Sequence, residues 1–323
     1  NKYLLGLKVS NEIQEKAGLI KKGDKGGFYD RLRNRLIFPI RDRRGQLIGF
    51  AGRAVGNEEP KYLNPPETDA YKKSSVFYGI DLALAQIRRK RRAILVEGYL
   101  DVIRLHENGW DESIATCGTA LTNDHVNLLK TTGAEETVLL FDGDSAGIKA
   151  AEKSCRIFIE NGLDSKVIIL PEGLDPDDYF KKFTNQDFQQ LLDNAEYDIN
   201  FIVSRAQLES SDKGIQFREE KIKEIIEITN QIESSIKKDL FVSNISKSFG
   251  IERRKLLQIL KKSDTKKESS DTQPVTAPFQ MFEKDHLPEV KFIKYLMIHV
   301  EAIQFARKAV TADDFANNGK VTP

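Results

Sequence analysis

The feature that most constrains this chain is a regular alternation between residues 93 and 171. Four apolar runs, "AILVEG" (93–98), "SIATCG" (113–118), "TVLLFDGD" (137–144) and "KVIILP" (166–171), are separated by stretches of helical period starting at Leu100, Asn123 and Ala146. Strands separated by a helix each time pair in parallel, because a helix-length crossover carries the chain back to the edge it started from. The expected core is therefore α/β, a mostly parallel, Rossmann-like sheet.

The ends of these runs are acidic. Glu97 and Asp101 follow the first, Asp142 and Asp144 close the third, and Asp175, Asp177 and Asp178 follow the fourth. In an open parallel sheet the carboxyl ends of the strands share one edge, where ligands bind, so acids far apart in sequence converge. Asp142 and Asp144 face the same way across Gly143, and their mutual repulsion calls for a cation. Mg²⁺ suits such a place, since it takes one or two carboxylates, keeps waters and shares substrate phosphates. The competing reading is helix capping, because each cluster immediately precedes a helix. Recurrence at three strand ends favours metal, with Asp101 as a capping or orienting partner and Asp178 read equally well as solvated or functional. Gly98, Gly143 and Gly147 serve turns in either reading and would also let backbone approach a phosphate.

Charge is segregated. Residues 1–92 carry 21 Lys and Arg against 10 Asp and Glu, whereas residues 93–185 carry 8 against 17. The first region suits a polyanion such as nucleic acid or nucleotide phosphates, and the second suits divalent cations. Within the basic region, "RLIFPIRDRRGQLIGFAGRAV" (35–55) reads as a β-hairpin turning at Gly45, and "EEPKYLNPPETDAYKKS" (58–74) as a surface loop. Arg31, Arg33 and Arg35 add to this face, while Arg43, Arg44 and the run Arg88–Arg92 read equally well as solvated surface. Tyr62 is expected either to stack on a base or to join the core.

The expected organisation is a basic α+β subdomain (1–92), the α/β domain (93–200), a helical bundle (201–262), a flexible linker (263–288) and the start of a further helical domain (289–323). Ile222, Ile225, Ile226 and Ile232 carry the helical period of the bundle. "NISKSFGIERRKLL" fits a helix-turn-helix, though a packed helical pair fits better. Two cysteines, Cys117 and Cys155, are too few for a zinc site of the usual kind, and the four histidines lack metal-ligand spacing. No apolar run approaches the roughly 20 residues of a membrane span, which points to a cytoplasmic protein with no membrane partner. The start at Asn1 and the stop at Pro323 read as cuts from something longer.

Glu97-Gly-Tyr-Leu-Asp101, Asp142-Gly-Asp144-Ser-Ala-Gly and Asp175-Pro-Asp177 together resemble the Toprim domain shared by primases, topoisomerases and some nucleases. The resemblance implies that Glu97, Asp142 and Asp144 hold metal, with Asp175 and Asp177 assisting catalysis. Upstream, "RLRNRLIFPIRDRRGQLIGFAGR", "PKYLNPPET" and "YKKSSVFYG" resemble, in order and spacing, the segment that precedes Toprim in bacterial DnaG-type primases. The likeness continues through "SKSFGIERRKLLQIL" to "TADDF", which is similar to the start of a helicase-binding domain.

This resemblance implies a DNA-directed RNA polymerase that makes short primers on single-stranded DNA from ribonucleoside triphosphates, using Mg²⁺ or Mn²⁺, with the replicative helicase as partner. Arg53, Lys61 and Lys73 match positions implicated in nucleotide or template binding, with Asn64, Gly98 and Gly118 beside the nucleotide. Primases of this type begin with a zinc-binding domain and a first part of the polymerising domain that this sequence lacks, so no zinc is expected here. Two alternatives use the same residues: a Toprim nuclease or topoisomerase, and a non-catalytic DNA- or helicase-docking module.

Overall fold

The computed structural model describes residues 1–260, so the expected linker and final helical segment lie outside the described residues. The chain opens with two short helices, α1 (Lys2–Gly6) and α2 (Asn11–Lys16), the second capped by Ser10, whose Oγ accepts the Ile13 N–H at 3.3 Å. A small ribbon of β1 (Ile20–Lys22) and β2 (Phe28–Asp30) follows. The expected hairpin is β3 (Arg35–Arg41) and β4 (Leu47–Ala54), paired antiparallel. Asp42 closes its turn by accepting the Arg44 and Gln46 amides at 2.9 Å each, and Gly45 supplies the left-handed residue at φ 78°. The loop beyond it contributes β5 (Tyr62–Leu63) to the free edge of β4.

The α/β part runs β6 (Phe77–Tyr78), α3 (Ile80–Lys90), β7 (Arg92–Val96), α4 (Tyr99–Glu107), β8 (Ser113–Thr116), α5 (Asn123–Lys130), β9 (Glu136–Phe141), α6 (Ser145–Glu160) and β10 (Ser165–Ile169). After it come α7 (Pro176–Lys182), α8 (Asn185–Asp193) and β11 (Glu196–Tyr197). The six strands lie in the order β11-β10-β9-β7-β8-β6. The four central strands are parallel, with Ile94 opposite both Val138 and Ser113, and the two-residue strands at the edges are antiparallel. From β7 the chain passes to β8 on one side and later to β9 on the other, which makes the β7/β9 gap the topological switch point.

Three helices complete the described chain, α9 (Asp198–Ser210), α10 (Ile215–Gln231) and α11 (Ser235–Phe249), followed by helical residues 253–260. Ile225, Ile226 and Ile232 are buried and Ile222 packs beside them. Phe249, Leu256 and Leu260 are buried too, with Gly250 left-handed between the two helices. That burial favours a packed helical pair. One apolar cluster runs from Phe77 and Ile87 through the sheet to Phe241 and Leu260, and a second joins Phe38, Ile40 and Tyr71 to Tyr99 and Cys117. Residues 1–260 accordingly belong to one compact unit, with continuous packing across the expected boundaries near 92 and 200. Among the described residues no helix is long and apolar enough to cross a membrane.

Candidate active site

Glu97 follows β7 directly and Asp142 follows β9, so the two acids stand at the ends of neighbouring strands on either side of the switch point. Asp142 is half-buried and its carboxyl is raised to about 7, first by desolvation, then by the charges of Glu97, Asp101, Asp175 and Asp144. The carboxyl of Glu97 is also raised, because protein crowds it on the strand side although the residue reaches solvent; the backbone N–H of Asp142 offsets part of this. Asp101 is pushed to about 6 by burial, while accepting the Gly98 N–H at 2.8 Å.

The helix-capping reading holds for two of the acids. Asp144 caps α6, its Oδ1 accepting the Ala146 and Gly147 amides at 2.9 and 2.7 Å, and Asp175 caps α7 by accepting the Asp178 amide at 2.7 Å. Asp177 is committed differently. One of its oxygens pairs with Arg104 on α4 and the other with Lys181 at 2.6 Å, which pins α7 to α4 and holds its carboxyl below the usual range.

Among the described residues no three His, Cys, Asp or Glu side chains are already drawn into a metal cage. The donor set nevertheless fits a hard divalent cation. Asp142 has no ion pair among the described residues, and the neighbouring charges that raise its carboxyl are those of Glu97, Asp101, Asp175 and Asp144. Mg²⁺ needs only one or two carboxylates when water and phosphate oxygens complete its octahedron. Glu97, Asp142 and the oxygen of Asp144 not used in capping could supply them.

The loop that carries these acids tolerates no side chain at Gly143, where a Cβ would stand 2.1 Å from the Leu170 carbonyl oxygen. Gly118 is fixed in a similar way: it has φ +69°, and a Cβ there would lie 1.9 Å from Asn64 Nδ2. Asn64 is therefore a hinge between regions. Its Oδ1 accepts the Tyr99 hydroxyl at 2.7 Å and its carbonyl accepts Arg31 at 3.0 Å, so the basic region is tied to the strand ends after β7 and β8.

Arg53, on β4, lies over the Tyr62 ring at 5.9 Å, and its Nε is buried without a hydrogen-bond partner. Tyr62 in turn feels the charges of Asp101 and Asp175, so this pair borders the acids. Tyr62 also packs 6.2 Å from the ring of Tyr99. Lys61 is exposed beside β5. Lys73 is half-buried near the start of α5, where the Thr122 hydroxyl donates to the Ser74 carbonyl at 2.6 Å. Beneath the acids a cleft of about 360 Å³ is lined by Glu97, Thr116, Gly118, Thr119, Leu121 and Lys153. Tyr99 and Lys153 were not singled out in the sequence. Tyr99 could have been, since it stands inside "EGYLD"; nothing marks Lys153 among the lysines of α6. Cys117 is fully buried, its thiol raised to about 11 by desolvation, and His125 is locked between Thr122 and the Val76 carbonyl.

Two family models match the chain: "DNA primase catalytic core, N-terminal domain" over residues 1–84 and "Toprim-like" over residues 94–180. A DNA primase from Clostridium acetobutylicum is 34% identical over 308 residues, covering 92% of this chain and 50% of that protein. The chain spans about half the length of the curated relatives it matches. A solved DNA primase domain from Pseudomonas aeruginosa is 30% identical, with a TM-score of 0.72 over 80% of this chain and 83% of that one. A DnaG primase catalytic domain solved bound to ssDNA has 30% identity and a TM-score of 0.66 over 73% and 77%. The two matched ranges and the shared fold are thus those of one family, and this chain belongs to it: the DnaG-type primases, through their Toprim-containing catalytic core.

Proposed function

We propose that this chain is the nucleotidyl-transfer core of a primase, which joins ribonucleotides into short RNA primers on single-stranded DNA. The observation that carries the reading is the juxtaposition at the β7/β9 switch point, where acids without a counter-charge meet Arg53 and Tyr62 across a tie made by Asn64. The reaction joins a 3′-hydroxyl to the α-phosphorus of the next nucleotide and releases pyrophosphate. When bound, a divalent cation, Mg²⁺ with Mn²⁺ as substitute, would supply a lowered pKa for the attacking hydroxyl and compensation of charge on the leaving group.

Glu97, Asp142 and Asp144 would hold that ion, with Asp175 stiffening the turn into α7 and Asp177 holding α7 against α4. Arg53, Lys61 and Lys73 would take triphosphate and template phosphates, as cations do across a nucleic-acid cleft. Gly98 and Gly118 would leave room for the nucleotide beside Asn64. A cytoplasmic setting and a replicative helicase partner are part of the same proposal. Their support is the family resemblance, and the helicase-binding likeness lies in residues outside those described.

The test is Mn²⁺-dependent photocrosslinking of a labelled ribonucleoside triphosphate to wild type, Asp142→Ala and Lys73→Ala. Crosslinking to wild type that is lost in both variants is the expected result. A folded, metal-binding wild type that never crosslinks would overturn the polymerase reading in favour of a nuclease-like or docking role.

A further inference from the structure

The basic region contains more cations than the proposed site uses, and the structure sorts them into two groups. Within the run Arg88–Arg92, Lys90 and Arg92 both pair with the buried Glu112, Arg91 pairs with Glu135, and Arg89 donates to Gln86. These are structural. Arg43, Arg44 and Arg88 have no carboxylate partner among the described residues. Their side chains line one cleft of about 430 Å³, closed by Ile80, Leu84 and Leu128.

The cleft is built rather than accidental. Arg43 donates to the Thr131 hydroxyl at 3.1 Å and Arg88 Nε donates to the Thr132 carbonyl at 3.3 Å, so two guanidinium groups are anchored by neutral acceptors at the end of α5. The turn that presents Arg43 and Arg44 is fixed by Asp42, whose Oδ1 is occupied by backbone amides. Glu135, the nearest acid in sequence to Thr131 and Thr132, is paired with Arg91. Among the described residues no carboxylate lines the cleft, and the aliphatic wall lowers the local dielectric, which strengthens the attraction for an anion. The forked donors of arginine match the geometry of phosphate oxygens.

Its position indicates which phosphate. The cleft opens where α3 runs into β7 and α5 runs into β9, at the amino ends of the strands, whereas the acids stand at the carboxyl ends. A five-residue strand separates those edges by roughly 16 Å, which a nucleic acid rising about 3.4 Å per nucleotide spans in about five nucleotides. We propose that the cleft of Arg43, Arg44 and Arg88 grips a phosphodiester of a nucleic-acid strand that continues past the acid site. This inference rests on the nucleic-acid reading above but uses none of the residues assigned there. The hairpin turn thereby becomes a second, sequence-independent contact.

The test is fluorescence-anisotropy binding of the 323-residue chain to single-stranded oligodeoxynucleotides of about 4 and about 16 nucleotides, the first shorter than that span and the second well beyond it. It compares wild type, Arg43→Ala/Arg44→Ala and Arg88→Gln. The double variant lies in an exposed turn and leaves the Arg88–Thr132 bond in place, so it reports binding even if Arg88→Gln folds poorly. Expected are an unchanged affinity for the short strand and an affinity for the long strand about three- to tenfold weaker, with a salt slope shallower by about 0.7 for each phosphate no longer neutralised. Equal losses on both lengths, or no loss on either, would overturn the proposal. So would a variant whose DNA binding is intact while its direct binding of inorganic phosphate, read by calorimetry, is lost, since that outcome assigns the cleft to a free anion. Absence of binding of either strand to wild type would overturn the nucleic-acid reading together with it.

Discussion

Glu112 and Asp142 are carboxylates at opposite edges of the same sheet, and they have been handled in opposite ways. Glu112 has no exposed surface, yet Lys90 at 2.6 Å and Arg92 at 2.7 Å neutralise it, and both cations also lie within 6 Å of the Trp110 ring. Asp142 is only half-buried, but its surroundings hold four more acids and no paired cation, and its carboxyl rises to about 7. Burial alone therefore does not decide how a carboxylate is handled. What separates them is the missing counter-charge, which the fold withholds at the switch point and supplies at the other edge.

The largest expected effect that would break this comparison is on chemistry. Asp142→Ala should reduce metal-dependent nucleotidyl transfer by about a thousandfold or more while the protein remains folded, as steady-state assays with circular dichroism would show. Glu112→Ala should do the reverse. It strands two cations that are less than a third exposed, costing about 3 kcal/mol in urea unfolding, with transfer per folded molecule retained. If Glu112→Ala were as stable as wild type, the buried pair would not be holding the sheet edge.

Next in size is the loop. Gly143→Ala forces a methyl group against the Leu170 carbonyl and should cost about 2 kcal/mol, with weakened metal binding by calorimetry. A smaller effect comes from pH. Asp142 and Asp101 have folded pKa values of about 7 and about 6, above the ordinary carboxylate range. Their contribution to stability is thus complete below about pH 4 and is lost as pH rises through about 6 to 7. In chelator-treated protein, Asp142→Asn should gain about 1 to 2 kcal/mol relative to wild type between about pH 5 and about pH 8, read from unfolding midpoints. Excess Mg²⁺ should flatten that difference. Smallest of all, Arg91→Ala should leave the midpoint unchanged, since both it and Glu135 are exposed.

The parallel core was legible because its strands are buried runs of four to six residues, a pattern set by local composition. The two-residue edge strands β6 and β11 were not, because their pairing with β8 and β10 is decided by neighbours far away in the chain. The short helix α8, between the acids and the bundle, has no long apolar period to mark it. At the site, the acidic clusters could be placed at strand ends from the sequence, and the metal roles of Glu97, Asp142 and Asp144 are what the Toprim resemblance implies. The sequence could not say that Asp177 is held by Arg104, 73 residues away, or that Lys90 and Arg92 within the Arg88–Arg92 run are spoken for by Glu112. It did not reveal that Asn64, Tyr99 and Gly118 form one tie, because that arrangement joins three separate segments.

The most direct measurement is Mn²⁺ binding followed by electron paramagnetic resonance, comparing wild type, Asp142→Asn and Glu112→Gln. The expected result is a site present in wild type and in folded Glu112→Gln but lost in Asp142→Asn. Equal Mn²⁺ binding by wild type and Asp142→Asn would contradict the central claim that the uncompensated acids at the switch point are the metal-holding groups.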